Sequence, residues 1–325
     1  MSVLVYIENV EGKFKKSAFE VLSFGAAIAA HMKLPLVALS IGDVSDDELS
    51  KTGLYGATKV LKASGDNLKA MNVQPYTSVV TQAAKAEGSK VVVMSASFSG
   101  KAIAPRVAIK LNAGLGENVI DLPEMTSGFV VKKGAYSGKA FAFVEILSDI
   151  KVISMMPNSY KVVENADQVN IVPFAATVEA NDLKLVVKET IRSSDKVSLP
   201  DAELVVSAGR GMKGPENWGM IEELAQILGA ATACSKPVSD SGWRPHSEHV
   251  GQTGIAISPN LYLAVGISGA IQHLAGVSSS KVIVVVNKDP EAPFFKAADY
   301  GIVGDAFEVL PKLIEAAKAF KSSQN

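Results

Sequence analysis

Residues 203–228 read ELVVSAGRGMKGPENWGMIEELAQIL. Glu203–Ser207 is short, apolar and β-branched, the pattern of a buried strand. Gly209-Arg210-Gly211-Met212-Lys213-Gly214 then fits G-x-G-x-x-G, and Asn217–Leu228 has the apolar spacing of an amphipathic helix. Strand, glycine turn and helix in that order make one unit of an α/β domain. The same alternation continues downstream. Leu261–Val265 predicts a strand and Gly269–Ala275 a short helix. Lys281–Val286 (KVIVVV) and Tyr300–Val303 predict strands, and Phe307–Phe320 the last helix. Ala231–Asn260 reads as a loop-rich insert, punctuated by Pro237, Pro245, Pro259, Gly242, Gly251 and Gly254. Loops of that length in a compact domain are usually functional.

The first half opens with the same alternation. Ser2–Glu8, Pro35–Ile41 and Lys90–Ala96 predict strands; Lys16–Met32, Tyr76–Glu87 and Gly100–Leu111 predict helices. Connections this long imply a parallel sheet covered on both faces. After about Gly114 the segments Thr126–Lys132, Lys139–Glu145, Lys151–Met155, Gln168–Ala175 and Leu183–Glu189 look like strands with short turns, which predicts antiparallel additions. Ser193-Ser194-Asp195-Lys196 is the best linker. The expected organisation is an N-terminal α/β domain (1–192), a linker (193–200) and a C-terminal Rossmann-like domain (201–325).

Thirty-two basic residues balance 33 acidic ones, for a net charge of -1. Such a chain has no long-range attraction to nucleic acid or anionic lipid. The single cysteine, Cys234, excludes an internal disulfide and suits a reducing compartment. The N-terminus has no signal-peptide pattern, and no apolar run approaches the ~18 residues that span a bilayer. The expectation is a cytoplasmic protein without stable membrane insertion, or a matrix protein if a leader has been removed.

Three glycine turns carry the chemistry. In Gly209–Gly214, glycine lets backbone N–H groups approach a phosphate; the bland alternative is a tight turn with Arg210 in a surface ion pair. The acidic residue of an NAD site, about 20 positions on, is not evident. In Gly266–His273 (GISGAIQH), Ser268 is a natural N-cap, and small residues would let an anion sit on exposed amides. In Val250–Gly254 (VGQTG), buried Gln252 and Thr253 side chains would donate and accept around a heteroaromatic edge; an ordinary turn is the alternative. His246 and His249 form H-x-x-H, but Cys234 and Glu248 do not complete a zinc set. Cys234 itself reads as a small buried residue. Three such turns at strand ends suggest one large phosphate-bearing ligand, with Arg210 and His273 as cations beside it.

Leu261–Asp305, with LYLAVGISGAIQHLAG and NKDPEAP, together with VGQTG and GRGMKG upstream, resembles the electron-transfer flavoprotein alpha-subunit family. The resemblance is strong over about 203–320. It implies a nucleotide-hydrolase-like first domain and one FAD held by the second, with no catalytic residues and no metal. By motif match, Arg210 would lie by the isoalloxazine and Ser235 would touch it from the insert. Val250 and Gly251 would belong to the cofactor site, and Gln252 and Thr253 would meet the ring's polar edge, with the Thr253 hydroxyl near N5. Ser268, Gly269, Ala270, Ile271, Gln272 and His273 would line the pyrophosphate and ring, with His273 reaching the pyrimidine carbonyl. Asn287 and Asp305 would serve the adenosine end. Lys236 stands where family members usually carry arginine, which keeps the charge but loses the planar fork. The resemblance further implies a beta subunit carrying AMP or a second FAD. Acyl-CoA dehydrogenases or related flavoenzymes would be donors, and a membrane quinone oxidoreductase the acceptor. The second domain would swing on the linker. An electron-bifurcating relative with an NADH-oxidising partner, and a non-redox nucleotide-binding module, are the alternatives.

Overall fold

The computed structural model describes residues 1–136, 140–165, 168–190 and 198–323. The chain divides into two compact units, Met1–Gly134 with Phe141–Arg192, and Ser193–Asn325 with Ala135–Ala140.

The first unit contains β1 (Val3–Ile7), a small hairpin β2 (Asn9–Val10) and β3 (Lys13–Phe14), α1 (Lys16–Met32), β4 (Leu36–Ile41), α2 (Asp46–Ser50), β5 (Lys59–Ala63) and α3 (Val73–Ala86). There follow β6 (Val91–Ser95), α4 (Phe98–Leu111), β7 (Gly114–Val119), β8 (Val130–Ala135), β9 (Ala140–Glu145), β10 (Lys151–Met155) and β11 (Asn170–Pro173). The sheet order is β11-β5-β4-β1-β6-β10-β7-β8-β9. Every residue of β1, β4 and β6 is buried, because helices cover both faces of a parallel sheet. One face carries Phe24, Leu22 and Ile28 of α1. The other carries Val79 and Val80 of α3 with Ile103 and Val107 of α4.

Two expectations for this unit need correction. β10 and β11 are parallel to their neighbours; β10 returns between β6 and β7, and β11 pairs with β5. The short turns before them suggested hairpins, but the buried run Val152–Met155 is that of an interior parallel strand. β8 is an antiparallel addition to β7, and β9 lies beside β8 at the sheet edge. Leu183–Glu189 is not a strand: a 3₁₀ turn, Ala180–Leu183, leads into irregular chain. The linker expectation at Ser193–Lys196 lies outside the described residues. Just after it, Leu199–Asp201 is a 3₁₀ turn, with Leu199 buried in the core of the second unit.

The second unit contains β12 (Leu204–Ala208), α5 (Gly219–Leu228), β13 (Ala231–Cys234), α6 (Lys236–Asp240), β14 (Leu261–Val265), α7 (Ile271–Val277), β15 (Val282–Asn287), β16 (Tyr300–Val303) and α8 (Ala306–Ser322). All five strands are parallel, in the order β13-β12-β14-β15-β16. This is the doubly wound 2-1-3-4-5 arrangement. The chain leaves β12 to one side for β13 and then crosses to β14 on the other side. The connections that follow β12 and β14 therefore leave toward opposite sides, and in such sheets the crevice forms at that point.

Candidate functional site

The crevice is built by the turns that sequence reading singled out, but the first turn has a different job from the one its motif suggests. Gly209–Gly214 does not run straight into a helix; 3₁₀ turns at Arg210–Met212 and Pro215–Asn217 intervene before α5. Gly209 and Gly211 serve backbone packing. A Cβ on Gly209 would stand 2.4 Å from the Gly266 carbonyl oxygen, and one on Gly211 would stand 2.6 Å from Gly266 Cα. The amide of Gly211 donates to that carbonyl at 3.1 Å. The two turns thus lock together, and Arg210, between the glycines, points out exposed. No hydrogen bond or ion pair engages Arg210 among the described residues, so the surface ion pair of the bland alternative is absent.

The cleft holds about 800 Å³ and is lined by Arg210, Ser235, Lys236, Val250, Gly251, Gln252, Thr253, Ser268, Ala270, Gln272 and His273. Gly269, Ile271, Asn287 and Asp305 are not among its lining residues. Gly269 packs on Phe294, whose amide donates to the Ser268 carbonyl. Asn287 donates to the Ile267 carbonyl at 2.9 Å, bracing the turn from behind. Asp305 caps α8 by accepting from the Phe307 amide. Both stand at the carboxyl edge of the same sheet, Asn287 closing β15 and Asp305 following β16.

Details of the lining also differ from expectation. Ser268 is not an N-cap: α7 begins after Ala270 with no side-chain cap, so the amides of its first turn have no side-chain partner among the described residues. Gln252 and Thr253 are exposed rather than buried, while Val250 and Ser235 are buried. The insert brings them there because Ser235 directly follows β13 and Cys234, the last residue of that strand, bridges to His249. Lys236 is not a free cation; its ammonium meets both Asp240 carboxylate oxygens at 2.9 Å across one helical turn. His273 is not a cation either. Burial, reinforced by nearby His249 and only partly opposed by the Val250 main chain, pulls its pKa from 6.5 to about 4. Its Nε2 lies 2.8 Å from the Tyr262 hydroxyl, and its Nδ1 makes no hydrogen bond of ordinary geometry. Arg210 therefore remains as the cation of the lining without a partner among the described residues.

Sequence reading missed His249, Asp240, Ser241, Pro237, Gly266 and Ile267 as lining residues. Asp240 carried a signal, standing four residues after Lys236 on a helical turn. His249 carried none, since its place depends on the pairing with Cys234. Burial pushes the Cys234 thiol up to about 12, against any thiolate role. Arg244 takes both Glu248 oxygens at 2.7 and 2.8 Å, which removes that carboxylate from the H-x-x-H pair. Among the described residues no group of three His, Cys, Asp or Glu is placed to hold a metal ion.

The residues fit a dinucleotide. The volume lies in the range of cofactor sites. Turn backbones and uncapped amides supply anion donors, and the exposed, unpaired Arg210 supplies charge. The profile of the electron transfer flavoprotein FAD-binding domain matches residues 198–278, and that of the electron transfer flavoprotein domain matches residues 3–179. The electron transfer flavoprotein subunit alpha of Bacillus subtilis (strain 168) is 36% identical over 317 residues, covering 97% of each chain. That of Syntrophomonas wolfei is 37% identical over 319 residues, covering 97% of this chain and 98% of its own. Protein FixB of Clostridium saccharobutylicum is 34% identical over 328 residues, covering 99% of this chain and 98% of its own. With both halves matched and relatives aligned along almost its whole length, the chain belongs to the electron transfer flavoprotein alpha-subunit family.

Proposed function

We propose that this chain carries one FAD in the cleft between the ends of β12 and β14 and acts as the large subunit of a heterodimeric electron carrier. The observation that supports it most directly is an open crevice at the switch point of the sheet, with an unpaired Arg210 on its rim. Bound FAD would accept and release electrons one at a time. The chain's own residues would hold and bias it. Backbone at Ser268–Ala270 and the start of α7 would take the diphosphate, and Gln252 and Thr253 would offer donors and acceptors to the ring's polar edge. Arg210 would favour the form carrying added negative charge. Asn287 and Asp305 would serve the adenosine end. The chain breaks no substrate bond, so it needs no acid–base pair.

In this reading the beta subunit binds AMP or a second flavin. Electrons arrive from acyl-CoA dehydrogenases or related flavoenzymes of fatty acid β-oxidation in the cytoplasm and leave to a membrane quinone oxidoreductase. No helix among the described residues is long and apolar enough to cross a membrane. The test is to purify the chain with its partner, record the flavin spectrum, and add a reduced acyl-CoA dehydrogenase. Bleaching of bound flavin is expected; a colourless complex sinks the proposal. Counting FAD per heterodimer separates the carrier from a two-flavin, bifurcating version.

A further inference from the structure

We propose that Tyr262 is a positioning residue for the cleft: its phenol donates to His273 Nε2 and holds the imidazole as the neutral tautomer with its proton on Nδ1. The geometry stands without a ligand; only the consequence for binding rests on the flavin reading above.

Tyr262 lies within β14, fully buried, with its hydroxyl 2.8 Å from His273 Nε2. Burial pushes the phenol's pKa far up, so it keeps its proton. Among the described residues Nε2 is the partner within hydrogen-bond distance of this buried hydroxyl, so a proton on Nε2 would leave the phenol proton without an acceptor. Nε2 is therefore the acceptor for the phenol proton. A nitrogen that accepts carries no hydrogen, so the ring's proton sits on Nδ1. Phe294 fixes the pair from the side. Its ring stacks on Tyr262 at 6.2 Å and meets His273 edge-on at 5.7 Å. The titratable groups that act on the imidazole are His249 from the insert and Tyr262 from β14; neither supplies a negative charge to stabilise an imidazolium. A ligand in the cleft would thus meet a rigid, neutral ring, and the cleft's electrostatics would hold steady around neutral pH.

The test is nitrogen NMR on the full chain, with its partner subunit if needed, labelled at its four histidines. The His273 signal is assigned by its loss in His273→Ala. Expected in the wild type are an unprotonated Nε2 and a protonated Nδ1, unchanged from pH 8 to about pH 5. A proton on Nε2, or titration between pH 6 and 7, overturns the proposal with no variant needed. Tyr262→Phe should release the tautomer. It should also weaken FAD binding roughly fivefold, as expected for one neutral hydrogen bond. In the His273→Ala background the same substitution should cost nothing further. Additive penalties overturn the positioning role. If the wild type holds no FAD, the flavin reading fails while the tautomer measurement still decides the inference.

Discussion

The two parallel sheets share an architecture and differ at their carboxyl ends. In the first unit those ends are closed by the chain's own side chains. The Ser97 hydroxyl donates to Glu8, Asn9 donates to the Ile41 carbonyl at 2.8 Å, and the Tyr76 hydroxyl donates to the Leu68 carbonyl at 3.0 Å. The groups brought to that edge include an acid, which repels phosphate. In the second unit the corresponding edge is open. Glycine turns lie against each other, α7 starts without a side-chain cap, and Arg210 has no partner among the described residues. A parallel α/β sheet therefore makes a site possible, and the residues at its strand ends determine whether there is one.

The contrast can be broken most severely at Ser268. Ser268→Asp places like charge where the diphosphate is proposed to sit, and should weaken FAD binding by roughly a hundredfold or more. Co-purified flavin absorbance measures it; full FAD retention removes the phosphate site from this turn. Next comes acid. His273 binds its proton at about 4 when folded against 6.5 unfolded, so the unfolded state takes up more protons between those values. Stability is complete above pH 6.5 and falls as pH drops to 4, by about 3 kcal/mol. Both tryptophans, Trp218 and Trp243, lie in the second unit, so their fluorescence during urea unfolding reports that loss. In the first unit, desolvation works to raise the Glu48 carboxyl, but hydrogen bonds from Lys51, the Phe14 amide and Lys13 prevail and lower it. Its contribution is present above the unfolded value of 4.5 and fades only below it, so the first unit should outlast the second on acidification.

Gly211→Val should cost about 3 kcal/mol, because the new side chain meets the Gly266 backbone. Gly219→Ala, which faces open space, should stay within about 0.5 kcal/mol in the same urea experiment. Arg210→Ala should weaken FAD about tenfold, most at low salt, and lower the flavin midpoint potential, read by spectroelectrochemical titration. Lys236→Ala should change stability by less than about 1 kcal/mol, since its pair with Asp240 is more than half exposed on both sides.

Much of this was legible along the chain. The boundaries of α1, β10, β14 and β16 coincide with their expected segments, because apolar periodicity and flanking turns mark them. β5, β7 and β13 were not legible. Lys59–Ala63 carries two lysines, Gly114–Val119 two glycines, and Ala231–Cys234 is four small residues, so none shows a strand pattern by itself. In the site, the glycine turns announced themselves, whereas Asp240 and His249 arrive through pairings that no local pattern records.

Residue order was enough to establish two α/β halves, the glycine turns at strand ends, and the family. Periodicity, turn chemistry and long motifs are local properties, readable one segment at a time. Charge in the cleft could not be read that way. Arg210, Lys236 and His273 are three basic side chains in the sequence, yet folding leaves one unpaired, pairs one with Asp240 and buries one as a neutral ring. Solvation and partners set a side chain's charge, and both are created when distant segments meet.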